Sequence, residues 1–215
     1  MGKRTSGEGK DRCERCRIWR PLCYCRDLPT VGFETRLFVI MHAREWQMTT
    51  NTVRLASLFF PEDRLSIRLR GAPGSEVDFS LPTGVRAGIL YPAEDSIELS
   101  GPEAFDQACP GAGPRLLVVP DGTWSQAARI YRRVPGLEGL PRFRLPAGPA
   151  SRYQLRTDAP EGHVCTFEAI ARALGRLEGA KLQESLETAF DLFVERRLMS
   201  KGKVPLPAWV LESLP

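Results

Sequence analysis

The sequence predicts an α/β protein, a sheet with helices on both faces, carrying a small cysteine-rich knuckle near its start. Three observations point there. Apolar runs of strand length recur along the chain, stretches with helical spacing lie between them, and four cysteines fall within thirteen positions. Alternation of strand and helix favours a layered α/β architecture.

Each element has its own justification. The run 35–42 (TRLFVIMH) is apolar and β-branched, as a buried strand requires. Thr50 or Asn51 is placed to cap a helix with Val53, Ala56 and Phe59 on one face, stopped before Pro61. Residues 65–69 read as a second strand, the Gly- and Pro-rich 71–84 as a loop, and 87–90 as a short buried strand ending at Tyr91-Pro92. The stretch 94–113 is polar and punctuated by Gly and Pro. Another apolar strand, 115–119, then turns at Asp121-Gly122 into a short helix over 124–133. Residues 142–145 and 153–155 are weaker strand candidates. Two helices close the chain, one carrying Phe167, Ile170, Ala171, Leu174 and Leu177, the other Leu182, Leu186, Ala189, Phe190, Phe193 and Val194.

A chain of 215 residues is one or two domains, long enough for a substantial core. Its 42% hydrophobic content suits a soluble globular protein, and no apolar stretch approaches membrane-spanning length, so no membrane partner is expected. The net charge of +4 is unevenly spread. Residues 1–26 hold eight Lys/Arg against three acids, while the remainder carries 22 against 23. The excess therefore surrounds the cysteines, where a phosphate backbone would gain most from it. The expected organisation is a flexible basic tail at 1–10, the knuckle at 11–30, a catalytic domain at 31–200 and a C-terminal tail at 201–215.

Cys13-x-x-Cys16 and Cys23-x-Cys25 suit a tetrahedral zinc site, which needs four thiolates about 2.3 Å from one ion. Paired disulfides are the other reading, but residues 1–10 contain no apolar leader toward an oxidising compartment. Arg15, Arg17, Arg20 and Arg26, with Trp19, make the knuckle surface basic and aromatic, suited to nucleic acid. Cys109 and Cys165 are isolated.

The remaining polar residues gather where strands end, the place where open α/β sheets hold ligands. Neither GxGxxG nor GxxxxGK[ST] is present, which counts against a Rossmann dehydrogenase and a P-loop NTPase. Asp121-Gly122-Thr123-Trp124 sets a carboxylate, a hydroxyl and a large aromatic at one corner, suited to a base, a sugar or an adenine ring. Helix capping with Trp124 as core filler is the plain structural alternative. His42-Ala43-Arg44-Glu45 with Thr50-Asn51-Thr52, and Cys165-Thr166-Phe167-Glu168-Ala169, mark two further helix starts.

In that order and spacing, these motifs resemble the DTW-domain family, the tRNA-uridine aminocarboxypropyltransferases. The resemblance runs from Cys13 to about Leu198, with two departures: Ala43 where the family usually has Pro, and Cys165 where it usually has Ser. It implies transfer of the 3-amino-3-carboxypropyl group from S-adenosylmethionine to N3 of a uridine in tRNA, and a SPOUT-like knotted fold. It also implies cytoplasmic action, with the zinc structural and RNA-facing. Asp121 becomes the candidate general base, its rival role being to pair with the donor's ammonium group. Leu90, Tyr91 and Pro92 would enclose the adenine. Trp124 would shape the wall beside the adenosine or the target base, Thr123 would donate or accept a hydrogen bond there, and Thr166 and Glu168 would contact the donor's polar arm or brace the loop that does. Arg15, Arg17, Arg20 and Arg26 would guide phosphates, with Arg129 on a second patch and His42 and Glu45 as further RNA contacts. The alternatives are a SPOUT-type RNA methyltransferase and a non-catalytic zinc-stabilised RNA-binding module.

Overall fold

The computed structural model describes residues 11–71, 82–155 and 163–212. The expected tail at 1–10, most of the 71–84 loop, 156–162 and 213–215 lie outside the described residues. In chain order, β1 (Arg36–His42) is followed by helices α1 (Ala43–Gln47) and α2 (Val53–Phe59), then by β2 (Leu65–Arg70), β3 (Arg86–Leu90) and the short β4 (Ile97–Glu98). Next come α3 (Pro102–Ala108), β5 (Arg115–Asp121), α4 (Trp124–Arg133) and β6 (Arg142–Arg144), and finally α5 (Thr166–Glu178), α6 (Ala180–Ser200) and α7 (Ala208–Leu211).

The six strands form one sheet in the order β2-β1-β5-β3-β6-β4, with every neighbouring pair parallel. Such strands bury both faces, and their side chains alternate between two cores. Leu37, Val39 and Met41 of β1, with Leu117 and Val119 of β5, enter the larger core beside α2, α5 and α6. Ile40, Leu116, Val118 and Ile89 enter the smaller core beneath Ile130 of α4, Val134 and Leu137. Helices on both faces are thus present, as the alternating pattern predicts.

The element after each central strand decides where a ligand fits. The chain leaving β1 turns toward the larger core through α2, whereas the chain leaving the neighbouring β5 turns toward the smaller core through α4. Their loops diverge, and a crevice opens at the carboxyl ends of the strands.

Four elements exceed the sequence expectation: α1, β4, α3, begun by Gly101-Pro102 and anchored by the buried Phe105, and α7, which lies in the stretch expected to be a C-terminal tail. One candidate is corrected, because residues 153–155 form no strand. The sheet edge beside β6 is occupied by β4 (Ile97 opposite Phe143), and Glu168 holds the preceding backbone through the Arg152 N–H.

The knuckle is no appendage. Cys16, Ile18, Leu22 and Tyr24 are buried in the larger core itself. Tyr24 meets Phe193 of α6 edge-on, and Arg197 of α6 donates to the Cys16 carbonyl at 2.7 Å. Past α6, Trp209 lies under the Arg196 guanidinium and Val210 is fully buried.

Candidate active site

The crevice is a cavity of about 800 Å³, within the usual range for small-molecule sites. Glu45, Leu90, Tyr91, Pro92, Asp121, Trp124 and Thr166 all line it, although they come from four separate segments of the chain.

Asp121 ends β5 and is 5% exposed. Asn51 Nδ2 donates to its Oδ2 at 3.0 Å, and the Thr166 hydroxyl donates to its Oδ1. Asn51 is itself fixed, since its Oδ1 accepts the Arg54 N–H at 3.1 Å. The start of α2, the end of β5 and the start of α5 therefore converge on one carboxylate. A negative group so oriented in a partly apolar cavity suits a cationic ligand.

Gly122 then makes the turn with φ 142°, and a Cβ there would lie 2.6 Å from Gln126 Oε1. Thr123 follows as the N-cap of α4. Its Oγ1 accepts the Gln126 N–H at 3.3 Å, and its own N–H donates to Gln126 Oε1 at 2.6 Å, a reciprocal capping box. The Thr123 hydroxyl is thus turned to the helix rather than into the cavity. Capping this turn leaves Trp124 at the first helical position, 46% exposed.

Trp124 belongs to an aromatic rim. Its indole N–H donates to His163 Nδ1 at 3.2 Å, and its ring centroid lies 6.5 Å from Tyr91, which stacks at 5.4 Å on Tyr131. This places Trp124 at the mouth and excludes the core-filler alternative. His163 also lines the cavity. Having only two histidines, the sequence offered a signal for it.

Glu168 stands behind the wall, not in it. Nearly buried, it accepts the Cys165 N–H at 3.0 Å, the Ser151 hydroxyl at 2.6 Å and the Arg152 N–H at 2.7 Å. It braces the loop that leads to Tyr153, a cavity residue whose hydroxyl donates to the Thr50 carbonyl at 2.5 Å. Cys165 is the buried N-cap of α5, and burial pushes its thiol up. The Cys165 departure therefore serves a helix start. The Ala43 departure is equally local: Ala43 opens α1, capped by His42 Nδ1 accepting the Arg44 N–H at 3.2 Å. His42 is consequently occupied as a cap and lies outside the cavity lining, while Glu45 is within it.

The four knuckle sulfurs lie within 4.8 Å of one another, with Cys13–Cys25 and Cys16–Cys23 each at 3.9 Å. Sulfurs at the corners of a tetrahedron about 2.3 Å from a zinc ion would be about 3.8 Å apart. The donor set fits the ion, and disulfides are not formed. Burial pushes the Cys16 thiol up to about 11 and raises Cys25 further, so a set of four thiolates calls for a cation at its centre. Cys13 goes the other way: burial is outweighed by hydrogen bonds from the Cys16 and Arg15 backbone and from neighbouring thiols, leaving it at about 6.

Of the basic residues here, Arg15 donates to the Leu58 carbonyl at 2.8 Å and Arg20 pairs with Asp11 at 2.7 Å, both side chains exposed. Arg17 holds a left-handed backbone (φ 58°), and Arg26 is exposed. Arg129 lies on the exposed side of α4.

A parallel α/β sheet with an acid-centred, aromatic-rimmed crevice defines a protein with a site for a small ligand. The DTW domain matches residues 10–198, and the chain belongs to that family. It is 29% identical over 79% of its length to tRNA-uridine aminocarboxypropyltransferase 2 of Drosophila melanogaster, covering 67% of that protein. It is 31% identical over 83% to the mouse protein of the same name and 29% identical over 82% to that of Macaca fascicularis, covering 61% and 60% of them. The chain thus spans about two thirds or less of these curated relatives. No solved structure matches it. Among the described residues, no helix is long and apolar enough to cross a membrane.

Proposed function

We propose that this protein transfers the 3-amino-3-carboxypropyl group of S-adenosylmethionine to N3 of a uridine in tRNA, releasing methylthioadenosine. The observation that carries the reading is the buried Asp121 carboxylate, fixed by Asn51 and Thr166 inside a cavity whose mouth is lined by Trp124 and Tyr91. A sulfonium donor is cationic and suits that carboxylate. Leu90, Tyr91 and Pro92 suit the adenine, and the exposed Trp124 suits a nucleobase that has left its stack.

S-adenosylmethionine supplies an electrophilic carbon, and the protein's task is to choose which of the three on sulfur faces the acceptor. Holding reacting atoms near 3–3.5 Å is the main lever for that choice. The uridine imide must lose its proton to attack. Asp121 either accepts that proton or pairs with the donor's ammonium group. Thr123 and Glu168 act through others in this reading, the first by seating Trp124 and the second by bracing the 151–153 loop.

Cys13, Cys16, Cys23 and Cys25 hold a structural zinc ion in the same proposal, and Arg15, Arg17, Arg20 and Arg26 guide tRNA phosphates, with Arg129 and Glu45 nearer the catalytic corner. The SPOUT-like knotted topology and a cytoplasmic location belong to the proposal too. The parallel sheet with a strand-end cavity supports the fold reading.

Incubation with unmodified tRNA and donor labelled in its carboxyl carbon tests the reaction. Label should enter tRNA. Incorporation from methyl-labelled donor alone would establish a methyltransferase instead, and no incorporation across a full tRNA pool would leave a zinc-stabilised RNA-binding module.

A further inference from the structure

The cavity contains a cation that the reading above does not use. Arg172 lines it from α5, two turns beyond Thr166, with Ala169 between them on the same lining face. Among the described residues it makes one hydrogen bond, from Nη2 to the Pro149 carbonyl at 2.8 Å, and no carboxylate there pairs with it. Among the described residues, the other charged ones lining the cavity are Glu45, Asp121 and Arg144, and Arg144 is already engaged by the Ser96 carbonyl and by Glu98 at 3.8 Å. A guanidinium carries five N–H donors in a rigid fork suited to carboxylates. A half-buried one with a single backbone acceptor has donors left for a ligand.

The opposite wall is shaped to that group. Arg172 lies against the 146–149 loop, and a Cβ on Gly148 would come within 3.1 Å of its Nη1. Glycine at 148 lets the guanidinium lie close along the loop, where the Pro149 carbonyl fixes it. Thr166 and Arg172 are six residues apart, about 9 Å along the helix axis, and helical side chains lean toward the N-terminus. The Thr166-bound carboxylate of Asp121 and the Arg172 guanidinium thus bracket one end of the cavity, negative at one side and positive at the other. That polarity matches an α-amino acid terminus, with an ammonium toward Asp121 and a carboxylate toward Arg172.

We infer that Arg172 is a specificity-determining residue that binds the α-carboxylate of the donor's aminocarboxypropyl arm. The inference rests on the proposed donor. It also accounts for product release: methylthioadenosine lacks that carboxylate and escapes the clamp.

Calorimetric titration of the full chain with S-adenosylhomocysteine, its decarboxylated analogue and methylthioadenosine tests this without turnover. With the natural chain, removing the ligand's carboxylate should weaken binding about 10- to 100-fold, as expected for a charge-assisted pair. In Arg172→Met, S-adenosylhomocysteine should weaken by a similar factor, methylthioadenosine should bind within about twofold of the natural chain, and the carboxylate should no longer matter. Arg172→Lys should recover part of the discrimination. Retained methylthioadenosine binding shows that the variant is folded. Equal weakening of all three ligands, or unchanged discrimination in both variants, overturns the role of Arg172. Loss of tRNA binding with the ligand ratios intact assigns Arg172 to RNA instead and overturns it too. Failure of the natural chain to bind any of the three ligands overturns the donor reading as well, and is distinguished by that from failure of the clamp alone.

Discussion

Replacing Glu168 by Gln removes one charge and one acceptor from a carboxylate that takes three hydrogen bonds, two of them from backbone N–H groups. The carboxylate accepts from the Cys165 N–H, the Ser151 hydroxyl and the Arg152 N–H, and it is 5% exposed. An amide of the same shape has a single acceptor oxygen, so its NH2 must face one of two backbone N–H groups. Hydrogen bonds to a charged group contribute about 1.5–3 kcal/mol each, and a buried donor left unpaired costs about 1–3 kcal/mol. Allowing for non-additivity within one network, the loss should be about 3 kcal/mol. For a chain of this size each kcal/mol lowers the melting temperature by about 2–4 °C, so Glu168→Gln should melt about 6–12 °C lower. The assay is reversible thermal or urea unfolding followed by circular dichroism, with zinc content held constant. The 151–153 loop should also lose protection in hydrogen exchange. A shift below about 1 °C with unchanged protection would show that Glu168 does not brace the loop.

The remaining expectations concern the corner, the rim and the knuckle. Asp121→Asn should separate the two roles of the carboxylate: a proton acceptor predicts a kcat loss of at least about a hundredfold with donor affinity retained, and an ammonium partner predicts weaker donor binding by calorimetry. Trp124→Ala should weaken binding of an unpaired uridine oligonucleotide about tenfold, since stacking contributes about 1–3 kcal/mol per base. Because the indole is 46% exposed, unfolding should change little; a large stability loss would make Trp124 structural. Cys13→Ser should lower bound zinc, measured by plasma mass spectrometry, from about one ion per chain, and shift unfolding downward. A natural chain that is metal-free and equally stable would refute the site. Ala43→Pro should leave the melting temperature within about 1–2 °C, because Pro is tolerated at the first position of a helix.

Elements whose burial is uniform were readable in the sequence. β1 and β5 are buried on both faces and appear as continuous apolar runs, and α5 shows its buried face at helical spacing. What escaped depends on distant neighbours. β4 is two residues long and exists because β6 presents an edge, and α3 is too short for a periodic pattern. The corner around Asp121 was visible as a motif, but its donors lie 70 and 45 residues away and only the sheet order brings them there. Thr123 looked like a ligand residue because a hydroxyl caps a helix with the same chemistry it uses on a ligand, whereas Glu168 holds the 151–152 loop, the bracing role its motif also allowed. Arg172 was invisible, since an arginine on an amphipathic helix reads as a solvated face until a cavity is seen beside it.

The contact between Cys16 and Arg197 joins positions 181 residues apart. Contacts of such long sequence separation form late and slow the search for the native state. A growing polypeptide would therefore carry its thiol knuckle without its packing partner until Arg197 had emerged. During that interval the proposed ion, gripped by the four sulfurs, would hold the segment in shape, a guardianship during synthesis that the finished molecule would no longer reveal.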